Sequence, residues 1–382
     1  MSLANQRHLF DIPETVAYLN TAYMSPLMHN VVDAMAQGVS SKVRPWTYKP
    51  DDFFAIAAET RELAAQIYGT DPLNIALINS VSYGIQTAAN NLPLSAGQDI
   101  LLLGGQFPSN VYPWQDMAAR KGGHVRILDK KSEHETWTDT VLTAISDKTA
   151  IIALPHMHWS NGEVLDLLSI RRASHKVGAA LVLDLTQSLG ALPFNVADIA
   201  PDFAVAAGYK WLMGPYTSAF LYVDPKWQSG RPMEFNWMNR KGSEDFSKLT
   251  HYVGEYQAGA LRYDMGEKSN PALLMGASAA LTQVLEWGVD NIAESLRVKT
   301  DALANALSDI GLLPLGREHR APHYLGVAFA KAPPVDILDR LAAEDIYVSI
   351  RGDFMRVTPH LFVTDADMSR FIDRLSHYLT AR

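Results

Sequence analysis

Short apolar runs alternate with segments of helical period through the middle of the chain. The apolar runs predict strands over 74–79, 99–103, 125–128, 150–154, 179–184 and 203–207. Between them lie helical patterns such as 168–178, which carries basic residues near its end and stops at Gly178. Continuous apolar strands separated by helices are typical of an α/β fold, in which a mostly parallel sheet carries helices on both faces.

The pattern changes after about Gly254. Helices are predicted over 272–287, 290–310 and 335–343 and from about Asp365, with strands over 324–329, 347–350 and 354–357. Helices on one side of a small antiparallel sheet indicate a separate α+β domain. We therefore predict an N-terminal arm over 1–20, a large domain over 21–260 and a smaller C-terminal domain over 261–382.

One apolar window, 203–223, carries a single charge, at Lys210. Turn residues at 208–210 and 214–215 interrupt it, which predicts two buried strands around a loop and no membrane span. Burying an isolated ammonium group costs several kcal/mol, and a desolvated lysine with a lowered pKa suits Schiff-base chemistry. The alternative is that only the aliphatic part of the Lys210 side chain is buried, while its ammonium group reaches solvent.

Two further features lie at the ends of predicted strands. Asp184 ends the strand 179–184, where open α/β sheets bind ligands. At that position the Asp184 carboxylate would either hold the nitrogen of a bound pyridine ring in its protonated form or merely cap the next turn. Gln187, three residues further on, would hydrogen-bond a substituent of such a ring. The turn 80–84, which precedes a helix predicted over 85–91, is either a phosphate cradle made of backbone N–H groups or a plain N-cap.

Composition narrows the function classes. The 382 residues carry 33 Lys and Arg against 41 Asp and Glu, a net charge of −8, which argues against nucleic acid as a partner. The chain has no cysteine, so thiolate nucleophiles, disulfides and cysteine-ligated clusters are excluded. No dinucleotide or P-loop glycine motif follows a predicted strand. The first residues lack an apolar signal region, which predicts a cytoplasmic protein.

Taken together, the segments 183–190 (LDLTQSLG) and 207–215 (AGYKWLMGP), with the phosphate turn before them, resemble one enzyme family. The chain resembles fold-type I pyridoxal-phosphate enzymes of the class V aminotransferase family, which includes cysteine desulfurases, kynureninases and isopenicillin-N-epimerase-like proteins. The resemblance covers roughly 18–375. It implies an aspartate-aminotransferase-like fold, a pyridoxal 5′-phosphate cofactor, an amino-acid substrate, and a homodimer with active sites at its interface.

The resemblance also assigns roles around the cofactor. Lys210 would form the Schiff base and move the Cα proton, Asp184 would pair with the ring nitrogen, and Gln187 would contact the ring hydroxyl. Val81 and Ser82 match the turn that receives the phosphate.

Aromatic residues complete this cofactor site by resemblance. Tyr209 precedes the lysine as in kynureninases and would add a hydroxyl donor. Phe107 falls at the ring-stacking position, where desulfurases have histidine, and it offers a stacking face without a proton relay. Trp159 falls where a ring-contacting asparagine is common, and is expected to wall the substrate cavity instead.

The substrate side is assigned by resemblance too. In the segment 354–360 (FMRVTPH), Arg356 matches the arginine that clamps the substrate carboxylate, and a guanidinium suits that task. The alternative is a surface arginine on an edge strand. Asn20 matches a segment lining the same site. The loop 263–270 resembles one that reaches a neighbouring subunit's phosphate, although Glu267 stands where threonine is common.

Two other function classes remain open from the sequence. His156 and His158 form an H-x-H pair that, with a carboxylate such as Asp184, suits a metal-dependent hydrolase. A non-catalytic binding module is the other. Within the pyridoxal-phosphate class we expect an aminotransferase or lyase without a metal, with an amino-acid epimerase or racemase as the alternative. The absence of cysteine disfavours a standard cysteine desulfurase.

Overall fold

The computed structural model describes residues 2–132 and 134–380. Its α-helices are α1 His29–Ser41, α2 Asp52–Tyr68, α3 Val81–Asn91, α4 Tyr112–Lys121, α5 Trp137–Ala144, α6 Leu167–Val177, α7 Val196–Ile199, α8 Pro271–Trp287, α9 Val289–Asp309, α10 Ile337–Ala342 and α11 Asp365–Thr380. Short 3₁₀ helices cover Arg7–Leu9, Pro45–Thr47, Pro72–Asn74, Pro108–Asn110, Pro225–Trp227, Phe246–Lys248 and Gly259–Tyr263.

The strands belong to three sheets. They are β1 Ala17–Tyr18, β2 Ile75–Ile78, β3 Asp99–Leu103, β4 His124–Leu128, β5 Thr149–Pro155, β6 Ala180–Asp184, β7 Phe203–Ala207, β8 Ala219–Val223, β9 Leu312–Pro314, β10 Leu325–Phe329, β11 Ile346–Tyr347, β12 Ser349–Arg351 and β13 Phe354–Val357. The predicted strands 99–103 and 203–207 coincide with β3 and β7.

The large sheet has the strand order β2-β8-β7-β6-β5-β3-β4, and only β8 runs antiparallel to its neighbours in it. Except in the edge strand β4, alternate residues of each strand enter two separate cores. In β6, for example, Leu181 and Leu183 belong to one core, and Ala180 and Val182 to the other. Each core lies against helices on its own face, which is why these strands are apolar throughout. The predicted α/β class is confirmed.

Strand order brings the site loops together. The chain runs outward from β3 to β4 and then returns to β5, so the connections after β3 and β5 leave in opposite directions. Such a switch point opens a crevice at the carboxyl ends of the strands. Strands β2, β6 and β7 end at the same edge, and the antiparallel β8 begins there.

The C-terminal part contains the small antiparallel sheet that the sequence predicted, in the order β12-β13-β10-β9. The single strand predicted at 347–350 is wrong. It divides into β11, which pairs in parallel with β1, and β12, which pairs with β13. Helix α8 packs on α1 and α2, on the large-sheet side; the domain boundary at 260/261 stays a prediction.

The apolar window 203–223 forms two buried strands, β7 and β8, around the loop that carries Lys210, as predicted. Among the described residues, no single helix is long and apolar enough to cross a membrane, and α8 and α9 reach the required length and hydropathy only as a pair bent by 74°.

A buried ionic network fixes β2, the strand that leads into the site. Asp264 is fully buried and accepts hydrogen bonds from Leu77 N at 2.7 Å, from both terminal nitrogens of Arg61 at 3.1 and 2.8 Å, and from Lys268 Nζ at 2.6 Å. Burial raises the pKa of Asp264, but the charges of Arg61 and Lys268 outweigh burial and hold that pKa below its usual value. The network ties α2 and the loop 263–270 to β2.

We expect Asp264→Asn to lower the free energy of unfolding by about 3–5 kcal/mol, because it leaves two buried cations without their shared anion. The change is measured by urea unfolding followed through tryptophan fluorescence. Asp245→Asn is the control, because it removes an ion pair with the exposed Lys248. This variant should unfold at the same urea concentration as the wild type. Coincident curves for the wild type and Asp264→Asn would contradict the role of the network.

Candidate active site

A cavity of about 230 Å³ opens at the carboxyl edge of the large sheet. Its lining includes the sequence-predicted residues Val81, Ser82, Phe107, Asp184, Gln187, Tyr209 and Lys210, together with Trp159. These side chains come from loops that are far apart in sequence, and the switch-point topology brings them together. The predicted substrate residues Arg356 and Asn20 are not among those that line this cavity in the described chain.

Lys210 lies in a tight loop after β7 and is only 7% exposed. The loop closes through hydrogen bonds from Gly214 N to Gly208 O and from Met213 N to Lys210 O, at 2.8 and 3.1 Å. Its Nζ lies 5.7 Å from the Phe107 ring centroid and 5.6 Å from that of Tyr209. The alternative of a lysine whose charged head reaches solvent is therefore wrong.

Burial lowers the pKa of Lys210 to about 8. The charge of Asp184 acts in the opposite direction, whereas the charges of Arg356 and Arg351 lower the pKa further. Near neutral pH a minority of the amine is thus unprotonated, a much larger share than for an ordinary lysine, and the unprotonated form is the one that attacks a carbonyl.

Asp184 ends β6, where it both caps the following turn and lines the cavity. Its Oδ1 accepts the N–H of Thr186 at 3.0 Å, as the capping alternative requires, while the buried carboxylate also lines the cavity. Burial raises the pKa of Asp184, and Thr186 and Lys210 act against that rise. A buried carboxylate in this setting favours a ligand that donates a hydrogen bond.

The phosphate turn differs from prediction in where its helix begins. Helix α3 starts at Val81, not at Ile85, with Ser80 as the N-cap whose Oγ accepts Tyr83 N at 3.2 Å. Val81 and Ser82 are therefore the first two residues of the helix, where backbone N–H groups have no intrahelical acceptor. The capping and cradle alternatives are compatible, because the cap leaves these N–H groups free for an anion.

Phe107 and Trp159 form an aromatic wall. Their rings meet edge to face with centroids 5.4 Å apart, and Trp159 Nε1 donates to Gly105 O at 2.7 Å. The Arg356 guanidinium carbon lies 5.5 Å from the Trp159 ring centroid. Trp159 also lines the cavity, so its indole ring lies between the cavity and the Arg356 guanidinium.

Arg356 is 2% exposed, so the alternative of a surface arginine is wrong. Its Nε donates to Ser349 Oγ at 2.9 Å, and that hydroxyl donates to Asn20 Oδ1 at 2.9 Å. Asn20 thus orients the guanidinium through Ser349. Sequence reasoning missed Ser349, because only the pairing of β12 with β13 sets it opposite Arg356.

Gln187 and Tyr209 are held by neighbours within the cavity wall. Gln187 Nε2 donates to Ala22 O at 3.0 Å, and its Oε1 accepts Trp211 Nε1 at 3.0 Å. Burial, followed by the neighbouring Tyr216, raises the pKa of Tyr209 to about 12, so its hydroxyl keeps its proton at neutral pH. The predicted contacts of both residues with a cofactor stay predictions.

The donor set fits a flat, phosphorylated heteroaromatic ring. Besides the free N–H groups of α3 and the Asp184 carboxylate, two buried polar atoms that face no protein partner belong to cavity-lining residues, Gln106 Oε1 and Asn110 Nδ2. Both residues lie close to Phe107 in the segment after β3. Their closeness to this candidate ring-stacking residue is the sequence signal that could have identified them as site residues.

The histidine pair does not form a metal site. His158 Nε2 contacts Gly104 O at 3.0 Å, its Nδ1 contacts Ser160 Oγ at 2.8 Å, and its ring stacks on Trp137. The His156 ring instead meets Phe194, and burial lowers the pKa of His156 to about 4. Within residues 2–132 and 134–380, no group of three or more His, Cys, Asp or Glu side chains is arranged to hold a metal ion. The metal-hydrolase alternative thus has no support.

Comparison with known proteins gives the family. The model of the aminotransferase class-V family matches residues 17–362. The uncharacterized aminotransferase YcbU of Bacillus subtilis is 25% identical over 376 residues, covering 97% of this chain and 96% of that protein. The kynureninase of Bacillus anthracis is 25% identical over 292 residues, covering 73% of this chain and 68% of that protein.

Solved structures share the fold. A C-DES mutant with glycine covalently linked to its PLP cofactor superposes with a TM-score of 0.89 at 19% identity, covering 98% of this chain and 99% of that one. The apo cysteine desulfurase of Thermococcus onnurineus NA1 gives 0.85 at 16% identity, with 100% of both chains covered.

This chain belongs to the aminotransferase class-V family. Membership confirms the predicted family and, with it, an enzyme of the pyridoxal-phosphate-dependent type.

In the cofactor-free protein, we expect the reactivity of the Lys210 amine to rise with pH around a midpoint near 8, against 10.5 for an ordinary lysine. Only the unprotonated amine reacts, so acetylation measured by mass spectrometry across a pH series reports the midpoint. Asp184→Asn should lower it further, because the Asp184 charge favours the ammonium form. The exposed Lys241 is the reference in the same samples. A Lys210 midpoint at the ordinary value would contradict the site geometry.

Proposed function

We propose that this chain converts amino acids through a Schiff base at Lys210, as an aminotransferase or a lyase. The observation that carries the proposal is a buried amine with a pKa of about 8 in the same cavity as a buried carboxylate and the N-terminus of α3. These are the three groups that a phosphorylated pyridine aldehyde requires: an amine, an anion at its ring nitrogen and phosphate donors.

When bound, the cofactor supplies an electron sink that makes the substrate Cα–H acidic. Lys210 would hold the cofactor through its amine and, as a free amine, would move the proton at the substrate Cα. Asp184 would hold the ring nitrogen in its protonated form. The N–H groups of Val81 and Ser82 would bind the phosphate with help from the helix dipole, and Phe107 would offer the ring an aromatic contact.

Two observations limit the reaction type. The chain has no cysteine, so it carries no thiol on which a persulfide is able to form, unlike a standard cysteine desulfurase. Phe107 supplies no proton relay at the stacking position. Both observations argue against desulfuration, and transamination or elimination is the reaction that we propose. Epimerisation or racemisation, which needs the same Cα proton to leave and return, is the alternative.

The holoprotein should show a visible absorbance band that borohydride removes, with the reduced cofactor attached to Lys210 in the tryptic map. Lys210→Ala should lose the reducible band, because no second amine occupies the cavity lining described here. Lys241→Ala, at an exposed lysine, is the matched control and should keep it. A panel of amino acids with products identified by mass then separates transamination, elimination and epimerisation. A reducible band that persists in Lys210→Ala would overturn the proposal.

We also propose a homodimer in which a second copy covers the mouth of the cavity. Tyr216 and Phe107, which line the cavity, are exposed, and so are the nearby Tyr23 and Tyr112. Exposed aromatic side chains in such a group are typical of an interface. Asp264 and Lys268 anchor the loop 263–270 and leave Glu267 exposed, and its contact with a neighbouring phosphate stays a prediction.

Light scattering of the purified protein should give twice the 42.2 kDa chain mass. Tyr216→Asp, which adds a charge to the exposed aromatic group, should shift the population toward monomer. The matched change Tyr252→Asp, at an exposed tyrosine that does not line the cavity, should not. A monomeric mass for the wild type would refute the dimer. A cytoplasmic location remains part of this proposal and rests on the sequence alone.

A further inference from the structure

Strands β12 and β13 carry two arginines on one face of the small sheet. In their antiparallel register, Ser349 lies opposite Arg356 and Arg351 lies opposite Phe354. Directly opposed residues share a face, and so do residues two apart on one strand. Arg351 is therefore the diagonal neighbour of Arg356, at a separation of about 7–8 Å in a regular sheet, with the two Cβ atoms somewhat closer.

Neither arginine has a carboxylate partner within ion-pair distance in the described part of the chain. Arg356 Nε donates to the neutral Ser349 hydroxyl, and Arg351 Nη1 donates to the carbonyl of Ile350 at 2.7 Å. The buried arginines Arg61 and Arg320 are instead each paired with a carboxylate. Two unpaired guanidinium groups on one face repel each other, and that arrangement is unfavourable unless an anion joins them.

The surroundings of the pair are neutral, and they adjoin the reactive lysine. The Trp159 ring covers the Arg356 guanidinium, and the Tyr324 hydroxyl donates to the carbonyl of Trp159. Both arginines are near enough to Lys210 for their charges to lower its pKa. Burial, and then the charge of Arg356, lowers the pKa of Arg351 itself. Arg356 therefore adjoins the Lys210 cavity through Trp159, and Arg351 adjoins Arg356 on the sheet.

We propose that the substrate of this site is a dicarboxylic amino acid, whose α-carboxylate binds Arg356 and whose side-chain carboxylate binds Arg351. This inference rests on the proposed function and adds the substrate class to it. Arg356 is rigidly held through Ser349 and Asn20, which suits the group common to all amino acids. Arg351 is half-buried and held only by its own strand, which suits a variable side chain.

The first test titrates the holoprotein with L-aspartate, L-glutamate and their neutral isosteres L-asparagine and L-glutamine, following the visible spectrum. A charge-assisted contact to Arg351 should make the better acidic ligand bind about tenfold more tightly than its amide. Arg351→Gln should abolish that preference and leave the affinities for the amides unchanged. Arg356→Gln should weaken all four ligands, and Arg120→Gln, at an exposed arginine, should change none.

The second test needs no cofactor chemistry. Calorimetry of the cofactor-free protein should show succinate or glutarate binding more tightly than butyrate, and Arg351→Gln should remove the difference. This measurement also shows whether the variants still bind a monocarboxylate, which a misfolded protein would not do.

The outcomes separate the two proposals. Equal binding of acids and amides by the wild type, or an Arg351→Gln variant that weakens all four ligands alike, would overturn the substrate class and leave the Lys210 chemistry standing. A protein without a reducible band that responds to no amino acid would overturn the proposed function itself.

Discussion

The rest of the site depends on the burial of the Lys210 ε-amine, because the neighbouring charged groups adjust the pKa that this burial sets. Burial disfavours the ammonium form and brings the pKa to about 8, while Asp184 limits the fall and the two arginines extend it. An amine in bulk water would be protonated and unreactive near neutral pH, and one with no anion nearby would be harder still to protonate. The balance leaves a group able both to attack a carbonyl and to carry a proton.

The loop that holds Lys210 depends on the two strands beside it. Strands β7 and β8 are buried on both faces, and the tight turn between them is closed by backbone hydrogen bonds that leave the lysine little freedom. Gly208 is needed there, because a Cβ at that position would lie 2.3 Å from Ser218 Oγ. The packing of the sheet core therefore fixes the position of the reactive nitrogen.

Buried charges serve two different purposes in this chain. Around Asp264 the cations and the anion are complementary, so they fasten β2 and the loop 263–270 in place. At Arg356 and Arg351 the cations lack an acidic partner in the described residues, which leaves a place for an anionic ligand. The first arrangement supports the fold, and the second supplies a site.

The sequence by itself determined the strands of the large sheet, the α/β class, the family and the identity of the candidate Schiff-base lysine. Apolar runs such as 99–103 and the segments around Asp184 and Lys210 are local patterns, which a sequence displays directly. Only the tertiary structure decided that Ser349 orients Arg356, that Arg351 shares its face, and that Trp159 joins the arginine to the cavity. It also divided 347–350 into two strands and separated His156 from His158. These features depend on pairing register and on side-chain packing between distant segments, which spacing along one chain does not encode.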